Sequence, residues 1–155
     1  MKVTFLDIDG VLNSMSWARY NDGHVGTPRR PWHLDPRAVR LLQNLVDNTG
    51  AYIVVSSTWR RYNPAHMQYW FAYYNWYEAP IIDSTSCDHS YNVSRGDRIR
   101  EWLQYTEYDV TSYVVIDDTN DGMDDLPLVQ PSFDRAELTH AHFTKARNLL
   151  NSNES

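Results

Sequence analysis

Two continuous apolar runs constrain the fold of this chain most strongly. Residues 51–56 (AYIVVS) and 113–118 (YVVIDD) have the length of a strand and are apolar along most of that length. Parallel sheets that are covered by helices on both faces bury their strands in this way. We therefore predict that both segments lie inside a parallel sheet.

The other predicted elements alternate between strands and helices. We predict further strands at residues 2–8 and 80–83 and within 127–132, and helices from Asp35–Pro36 to Gly50 and at residues 64–77, 95–105 and 138–151. This alternation indicates a parallel sheet with right-handed crossovers. The predicted fold class is α/β, a three-layer α/β/α Rossmann-like domain with about five parallel strands.

Residues 14–35 contain prolines and glycines and show no helical period, so we predict a long surface loop there. Loops of this length are usually functional. Neither this segment nor the chain between the second strand and residue 95 has room for a large cap domain.

Composition favours one globular domain over residues 1–155, with a frayed tail at 152–155. The chain is 42% hydrophobic, and no apolar run approaches the roughly 20 residues of a membrane-spanning helix. The single cysteine, Cys87, excludes an intrachain disulfide and makes a cytoplasmic location the default expectation. A net charge of -6 argues against binding along a nucleic-acid duplex but tolerates a strand end. We expect a monomer with no membrane partner.

Polar residues end the predicted strands in a pattern that indicates a reaction site. The carboxyl ends of parallel strands meet at one edge of a sheet, where ligands bind. Carboxylates gathered there would repel one another without a cation, and a site of oxygen ligands favours Mg²⁺. The residues expected at this edge are Asp7, Asp9, Ser56, Ser57, Asp117 and Asp118, joined by Arg95 and Gly96 at the start of a helix.

The motifs DIDGV, VVSS, RG and IDD occur in that order and resemble the four signatures of the haloacid dehalogenase superfamily. Most members of that superfamily are aspartate-dependent phosphatases, and the resemblance runs from residue 3 to about 150. The stretches VSSTWR, RGDRIREWL, VVIDD and LVQ…LTHAHFTKA more narrowly resemble the small capless phosphatase domains of phages and RNA-repair proteins.

The resemblance implies catalytic roles for individual residues. Asp7 would be the nucleophile that forms an aspartyl-phosphate, and Asp9 would act as general acid and base. Ser56, or Ser57 one residue later, would hydrogen-bond a phosphoryl oxygen. Arg95 stands where many relatives carry lysine and would neutralise the transferring group.

The resemblance also implies a Mg²⁺ site. Its ligands would be the side chain of Asp7, the backbone carbonyl of Asp9, and Asp118 or Asp117. The DD pair favours Asp118 as the direct ligand, whereas Asp117 together with Asp121 fits a spacing of separated acids. Both members of the pair therefore remain candidates.

Aromatic residues interleaved with arginines suggest how a substrate is held, because such residues stack bases and bind backbone phosphates. The first hypothesis is a phosphomonoesterase that acts on a nucleic-acid end, foremost a 3′-phosphate, or on a nucleotide. Alternatives are a sugar-phosphate or phosphoprotein phosphatase and a non-catalytic protein that binds a phosphorylated ligand. Members of the superfamily without caps tend to act on large substrates. The candidate substrate-binding residues are Gly10, Arg29, Arg30, Ser57, Trp59 and Arg60.

Overall fold

A five-stranded, entirely parallel sheet forms the centre of the protein. The computed structural model describes residues 1–20, 34–57, 63–86, 92–132 and 138–152. Across the sheet the strands follow the chain order third, second, first, fourth, fifth, so the first strand is central and pairs with both the second and the fourth. This confirms the predicted parallel sheet. The strands are β1 (Lys2–Leu6), β2 (Tyr52–Val55), β3 (Ile81–Ser84), β4 (Ser112–Ile116) and β5 (Leu128–Val129).

Helices cover both faces of the sheet. Successive residues of β1 point to opposite faces, so Leu6 packs in one apolar cluster and Phe5 in the other. The cluster around Leu6 includes residues from three helices, and the cluster around Phe5 includes Ile99 and Trp102 from a fourth helix. The predicted three-layer architecture is confirmed. The helices are α1 (Met15–Tyr20), α2 (Pro36–Thr49), α3 (Pro64–Ala72), α4 (Arg95–Tyr105) and α5 (His140–Asn151).

Helix α2 begins and ends at the predicted residues. The Asp35 side chain caps it by accepting a hydrogen bond from the Arg37 backbone N–H at 2.9 Å. Gly50 ends the helix in the left-handed region, at φ 67°, which glycine adopts without strain. Among the described residues no helix is long and apolar enough to cross a membrane.

The prediction of a loop throughout residues 14–35 was wrong, because Met15–Tyr20 is helical. The Ser14 hydroxyl accepts a hydrogen bond from the Trp17 backbone N–H at 3.1 Å, and the Ala18 side chain is buried. The glycines and prolines that suggested a loop begin only at Gly23, after this helix has ended. Residues 21–33 lie outside the described part of the chain.

The predicted helix over residues 64–77 also ends early, at Ala72. Asn75 adopts φ 61°, and the Trp76 backbone N–H donates back to the Phe71 carbonyl at 3.1 Å. This reversal buries Trp76 against the Phe71 ring, with 5.0 Å between the ring centroids. The packing of Trp76 against Phe71 therefore ends the helix at Ala72, although the sequence pattern that predicts a helix continues to residue 77. The remaining boundaries differ from the predicted ones by a few residues.

Candidate active site

The polar ends of β1, β2 and β4 lie side by side at the carboxyl edge of the sheet. Backbone pairing continues past the strands: the Asp7 N–H donates to Ile116 and the Ser56 N–H donates to Leu6, each at 2.9 Å. The residues that follow these three strands are therefore held in register with one another. Asp7, Ser56 and Asp117 are all buried at this edge.

Three carboxylates form a tight cluster. Oxygen atoms of Asp7, Asp117 and Asp118 all lie within 4.8 Å of one another. Burial, followed by repulsion from Asp117, raises the pKa of Asp7 from 3.8 to about 8, although Arg95 opposes this rise. Burial also raises the pKa of Asp118. The cluster therefore favours a further positive charge in addition to the guanidinium of Arg95.

Arg95 provides the positive charge next to the cluster. One guanidinium nitrogen, Nη1, forms an ion pair with Oδ2 of Asp117 and lies 3.3 Å from Oδ2 of Asp7. Burial alone would lower the pKa of Arg95, but the two carboxylates raise it. Its side chain is 18% exposed, so the guanidinium beside the two carboxylates remains partly accessible.

The two adjacent acids after β4 have different surroundings. Asp117 Oδ1 accepts hydrogen bonds from the backbone N–H and the hydroxyl of Thr119, both at 2.9 Å, while Oδ2 accepts from Arg95. Asp118 is half-buried, and its side chain hydrogen-bonds Asp7. Asp117 is therefore the carboxylate that fixes Arg95, and Asp118 is the more accessible of the two. The sequence interpretation did not include Thr119, although an aspartate side chain commonly accepts a hydrogen bond from the backbone N–H two residues later.

The two serines after β2 are also distinct. The Ser56 hydroxyl is fully buried and has no hydrogen-bond partner among the described residues, a situation that costs about 1–3 kcal/mol. The Ser57 side chain hydrogen-bonds Asp7 and favours its charged form. Both serines thus lie at the predicted edge, and their roles toward a phosphoryl group stay predictions.

Asn13 holds the segment that follows β1, a contact that the sequence interpretation missed. Its Nδ2 donates to Asp9 Oδ1 at 3.1 Å, and its Oδ1 accepts from the Gly10 N–H at 2.9 Å. Gly10 has φ 84°, and a Cβ there would lie 2.5 Å from Cγ of Asp118. Gly10 therefore provides the room in which Asp118 approaches Asp7. An asparagine four residues after an acid is the signal that would have suggested this contact.

The Arg95-Gly96 pair attaches α4 to the loop after β4. The Arg95 N–H donates to Oδ2 of Asp121 at 2.8 Å, and the Gly96 N–H donates to the Asp121 carbonyl at 2.9 Å. Asp121 thus binds the first turn of the helix, where a carboxylate also complements the helix dipole. This placement differs from the spacing interpretation in which Asp121 joins Asp117 as a separated acid.

The remaining predicted substrate-binding residues cannot be placed. Arg29, Arg30, Trp59 and Arg60 lie outside the described residues. Their proposed contacts with a substrate therefore stay predictions.

Residues 3–143 match the family model described as the HAD domain in Swiss Army Knife RNA repair proteins. No curated protein and no solved structure gives a significant match. The match includes β1 with Asp7, the two serines after β2, the helix that begins at Arg95 and the two acids after β4. The chain therefore belongs to the HAD-domain family of Swiss Army Knife RNA repair proteins, within the superfamily whose motifs the sequence resembles.

Proposed function

We propose that the protein is a Mg²⁺-dependent phosphomonoesterase that works through an aspartyl-phosphate and acts on nucleic-acid ends, foremost a 3′-phosphate. The observation that supports this most is the convergence of Asp7, Asp118 and the Arg95–Asp117 pair at the carboxyl edge of the sheet. Membership in a HAD-domain family supports phosphatase chemistry at this edge.

The donor set fits Mg²⁺. Its side-chain ligands are all oxygens, and the raised pKa of Asp7 shows that the cluster favours additional positive charge. Asp7, Asp118 and the backbone carbonyl of Asp9 would hold the ion. When bound, it would neutralise the carboxylates and polarise a phosphoryl oxygen.

Asp7 and Asp9 carry the bond-making steps. A carboxylate oxygen of Asp7 attacks phosphorus, and the bond between phosphorus and the leaving oxygen breaks as Asp9 gives that oxygen a proton. Asp9 then takes a proton from water, whose oxygen attacks the same phosphorus. The bond from phosphorus to Asp7 breaks, which releases inorganic phosphate and regenerates the carboxylate. Asn13 holds the carboxylate of Asp9 between these two transfers.

Arg95 and Ser56 bind the group in transfer. The guanidinium beside Asp7 stabilises negative charge on the phosphoryl oxygens, and Asp117 keeps it in place. The unpartnered hydroxyl of Ser56 would donate to one of these oxygens. This contact would also satisfy a buried polar group that the protein alone leaves unpaired.

The family's occurrence in RNA repair proteins supports a nucleic-acid end as substrate. Repair of a broken strand requires chemistry at its terminal phosphates. Arg29, Arg30 and Arg60, which follow β1 and β2 in the sequence, are the residues that we propose bind the backbone phosphates of the strand.

The test is phosphate release by wild type and Asp7→Asn from 3′- and 5′-phosphorylated oligonucleotides, mononucleotides, sugar phosphates and an aryl phosphate, each with Mg²⁺ and with chelator. We expect turnover that requires both Mg²⁺ and Asp7 and is fastest on a 3′-phosphorylated oligonucleotide. Faster turnover of sugar phosphates would overturn the substrate assignment alone. Folded wild-type protein that releases no phosphate from any substrate would overturn the enzymatic proposal.

A further inference from the structure

An open groove of about 360 Å³ lies between the carboxyl end of β3 and helix α4. The proposed catalytic residues do not line it. The residues that define it are Asp83, Ser86, Arg98, Glu101, Trp102 and Tyr105. Its volume is within the range of small-ligand sites, and its lining is both polar and aromatic.

Hydrogen bonds between its own residues fix the walls of this groove. The Trp102 indole N–H donates to Oδ2 of Asp83 at 2.7 Å, and the buried Arg98 donates to the carbonyl and hydroxyl of Ser86 at 3.1 and 3.2 Å. The Ser86 hydroxyl in turn donates to Glu101 at 3.2 Å. The groove is therefore preformed, which lowers the entropy cost of binding.

Tyr105 gives the groove an exposed aromatic surface. Its side chain projects from the last turn of α4 and is 73% exposed, which is a large exposed fraction for an aromatic ring. By contrast, Trp102 is buried, packs edge-on against Phe5 and stacks on Tyr108. Trp102 thus forms the wall, and the ring of Tyr105 is available for a planar ligand to stack on.

The carboxylates of the groove select what that ligand is, because Arg98 in the same lining is buried and donates to Ser86. Asp83 and Glu101 contribute carboxylates, which repel phosphate but accept hydrogen bonds from amino groups and ring N–H groups. An aromatic surface beside carboxylates suits a nucleobase rather than the backbone of a strand.

The groove lies along the same helix as the proposed phosphate-binding residue. Arg95 begins α4 and Tyr105 ends it, so the helix rise separates them by about 15 Å. Glu101 is about 9 Å along the helix from Arg95. Tyr105 therefore lies too far along the helix to meet the base of the terminal nucleotide, whereas a base further along the strand would reach it.

We infer that this groove binds nucleobases of a single-stranded nucleic acid whose terminal phosphate lies at Arg95. The inference rests on the proposed function, because the terminal phosphate binds at the proposed catalytic residues. The nucleotides further along the strand then bind in the groove. Stacking on Tyr105 and hydrogen bonds to Asp83 and Glu101 hold the bases, so a longer strand binds better than a mononucleotide.

The experiment measures kcat/KM for a series of 3′-phosphorylated strands, from a mononucleotide to an octanucleotide, and divides each value by kcat/KM for an aryl phosphate. We expect this ratio to increase with strand length in the wild type. In Tyr105→Ala the increase from mononucleotide to octanucleotide should be about tenfold smaller. Tyr105→Phe keeps the ring and should keep the ratio. The matched control is Tyr69→Ala on α3, where the exposed fraction is similar at 66%.

The outcomes separate this inference from the proposed function. Strands that are hydrolysed with no dependence on length, or with the same dependence in Tyr105→Ala, would overturn the groove assignment while phosphatase activity stands. If the ratio increases with length only in a matched 5′-phosphorylated series, the groove assignment stands, but the strand lies in the groove with the opposite polarity. Failure to hydrolyse any strand while the aryl phosphate is hydrolysed would overturn the nucleic-acid substrate itself.

Discussion

No side chain fits between Gly96 and Gly122. A Cβ added to Gly96 would lie 2.1 Å from the Gly122 carbonyl oxygen, which is backbone and cannot rotate away. This contact seats the first turn of α4 against the loop after β4. Arg95, the preceding residue, reaches Asp7 and Asp117 from that position.

We expect Gly96→Ala to lower both stability and activity, because the helix must move away from the loop and take Arg95 with it. The expected loss of stability is about 2–4 kcal/mol by urea unfolding, in the range of strained substitutions. Hydrolysis of an aryl phosphate should fall at least tenfold. Gly50→Ala is the control, since Gly50 has φ 67° but no neighbour within 4 Å. It should cost about 1 kcal/mol and leave activity unchanged.

We expect the metal-free protein to lose stability as the pH rises from 4 to 8. Unfolded Asp7 ionises near pH 3.8, whereas burial holds the folded group protonated until about pH 8, so the unfolded state binds fewer protons between these values. The expected loss is on the order of a few kcal/mol. Asp7→Asn should flatten this slope in chelator, as measured by urea unfolding at pH 5 and pH 8. Asp47→Asn, at an exposed position on α2, should keep it.

The same pair of variants tests the metal site without an activity assay. At pH 8, Mg²⁺ should raise the melting temperature of the wild type and of Asp47→Asn, because it binds only the folded cluster. The melting temperature of Asp7→Asn should rise much less on addition of Mg²⁺. An equal gain in all three proteins would contradict a metal site that includes Asp7.

Thr119→Val should slow catalysis more than it weakens binding. The substitution keeps the shape of the side chain but removes the hydroxyl that donates to Asp117, and with it one restraint on the Arg95–Asp117 pair. We expect about 1 kcal/mol of destabilisation and a fall in kcat of about tenfold with a smaller change in KM. Thr144→Val removes a hydroxyl contact within α5 and should leave kcat unchanged. A loss of stability with normal kcat would contradict the positioning role.

His142 makes a contribution of opposite sign, which is lost as the pH drops below 6.5. The His142 ring accepts a hydrogen bond from the Thr139 N–H at 3.0 Å through Nδ1, which requires the neutral ring, and burial lowers the pKa of His142. The unfolded state therefore binds the proton first, and the α5 cap loses stability in acid. His142→Gln keeps an acceptor, so its melting temperature relative to that of the wild type should be higher at pH 5 than at pH 7. His140→Gln, at an exposed position, should not.

The sequence predicted the sheet and the polar residues gathered at its carboxyl edge because both depend on position along strands. Asp7, Ser56 and Asp117 each follow an apolar run, and the geometry of parallel strands brings such residues together whatever the details of packing. The cap of α2 was predictable for a similar reason, since Asp35, Pro36 and Gly50 act through the local backbone.

Contacts between distant segments were not predictable in this way. The end of α3 depends on Trp76 packing against Phe71, while the local sequence continues to favour a helix. The difference between Asp117 and Asp118 depends on Thr119 and on Arg95 from another element. Neighbouring residues in a loop point in directions that spacing alone does not fix, so the sequence left both as candidates.

The central position of β1 also affects when the residues of the proposed active site come together during folding. Asp7 follows a strand that must pair with β2, some 50 positions later, and with β4, more than 100 positions later, as in the pairing of Lys2 with Ser112. Such non-local pairing makes folding slow compared with proteins built from local contacts. A folding intermediate that has joined only β1, β2 and β3 lacks Arg95 and both acids of the β4 loop. The proposed active site is therefore complete only after the two halves of the chain have met.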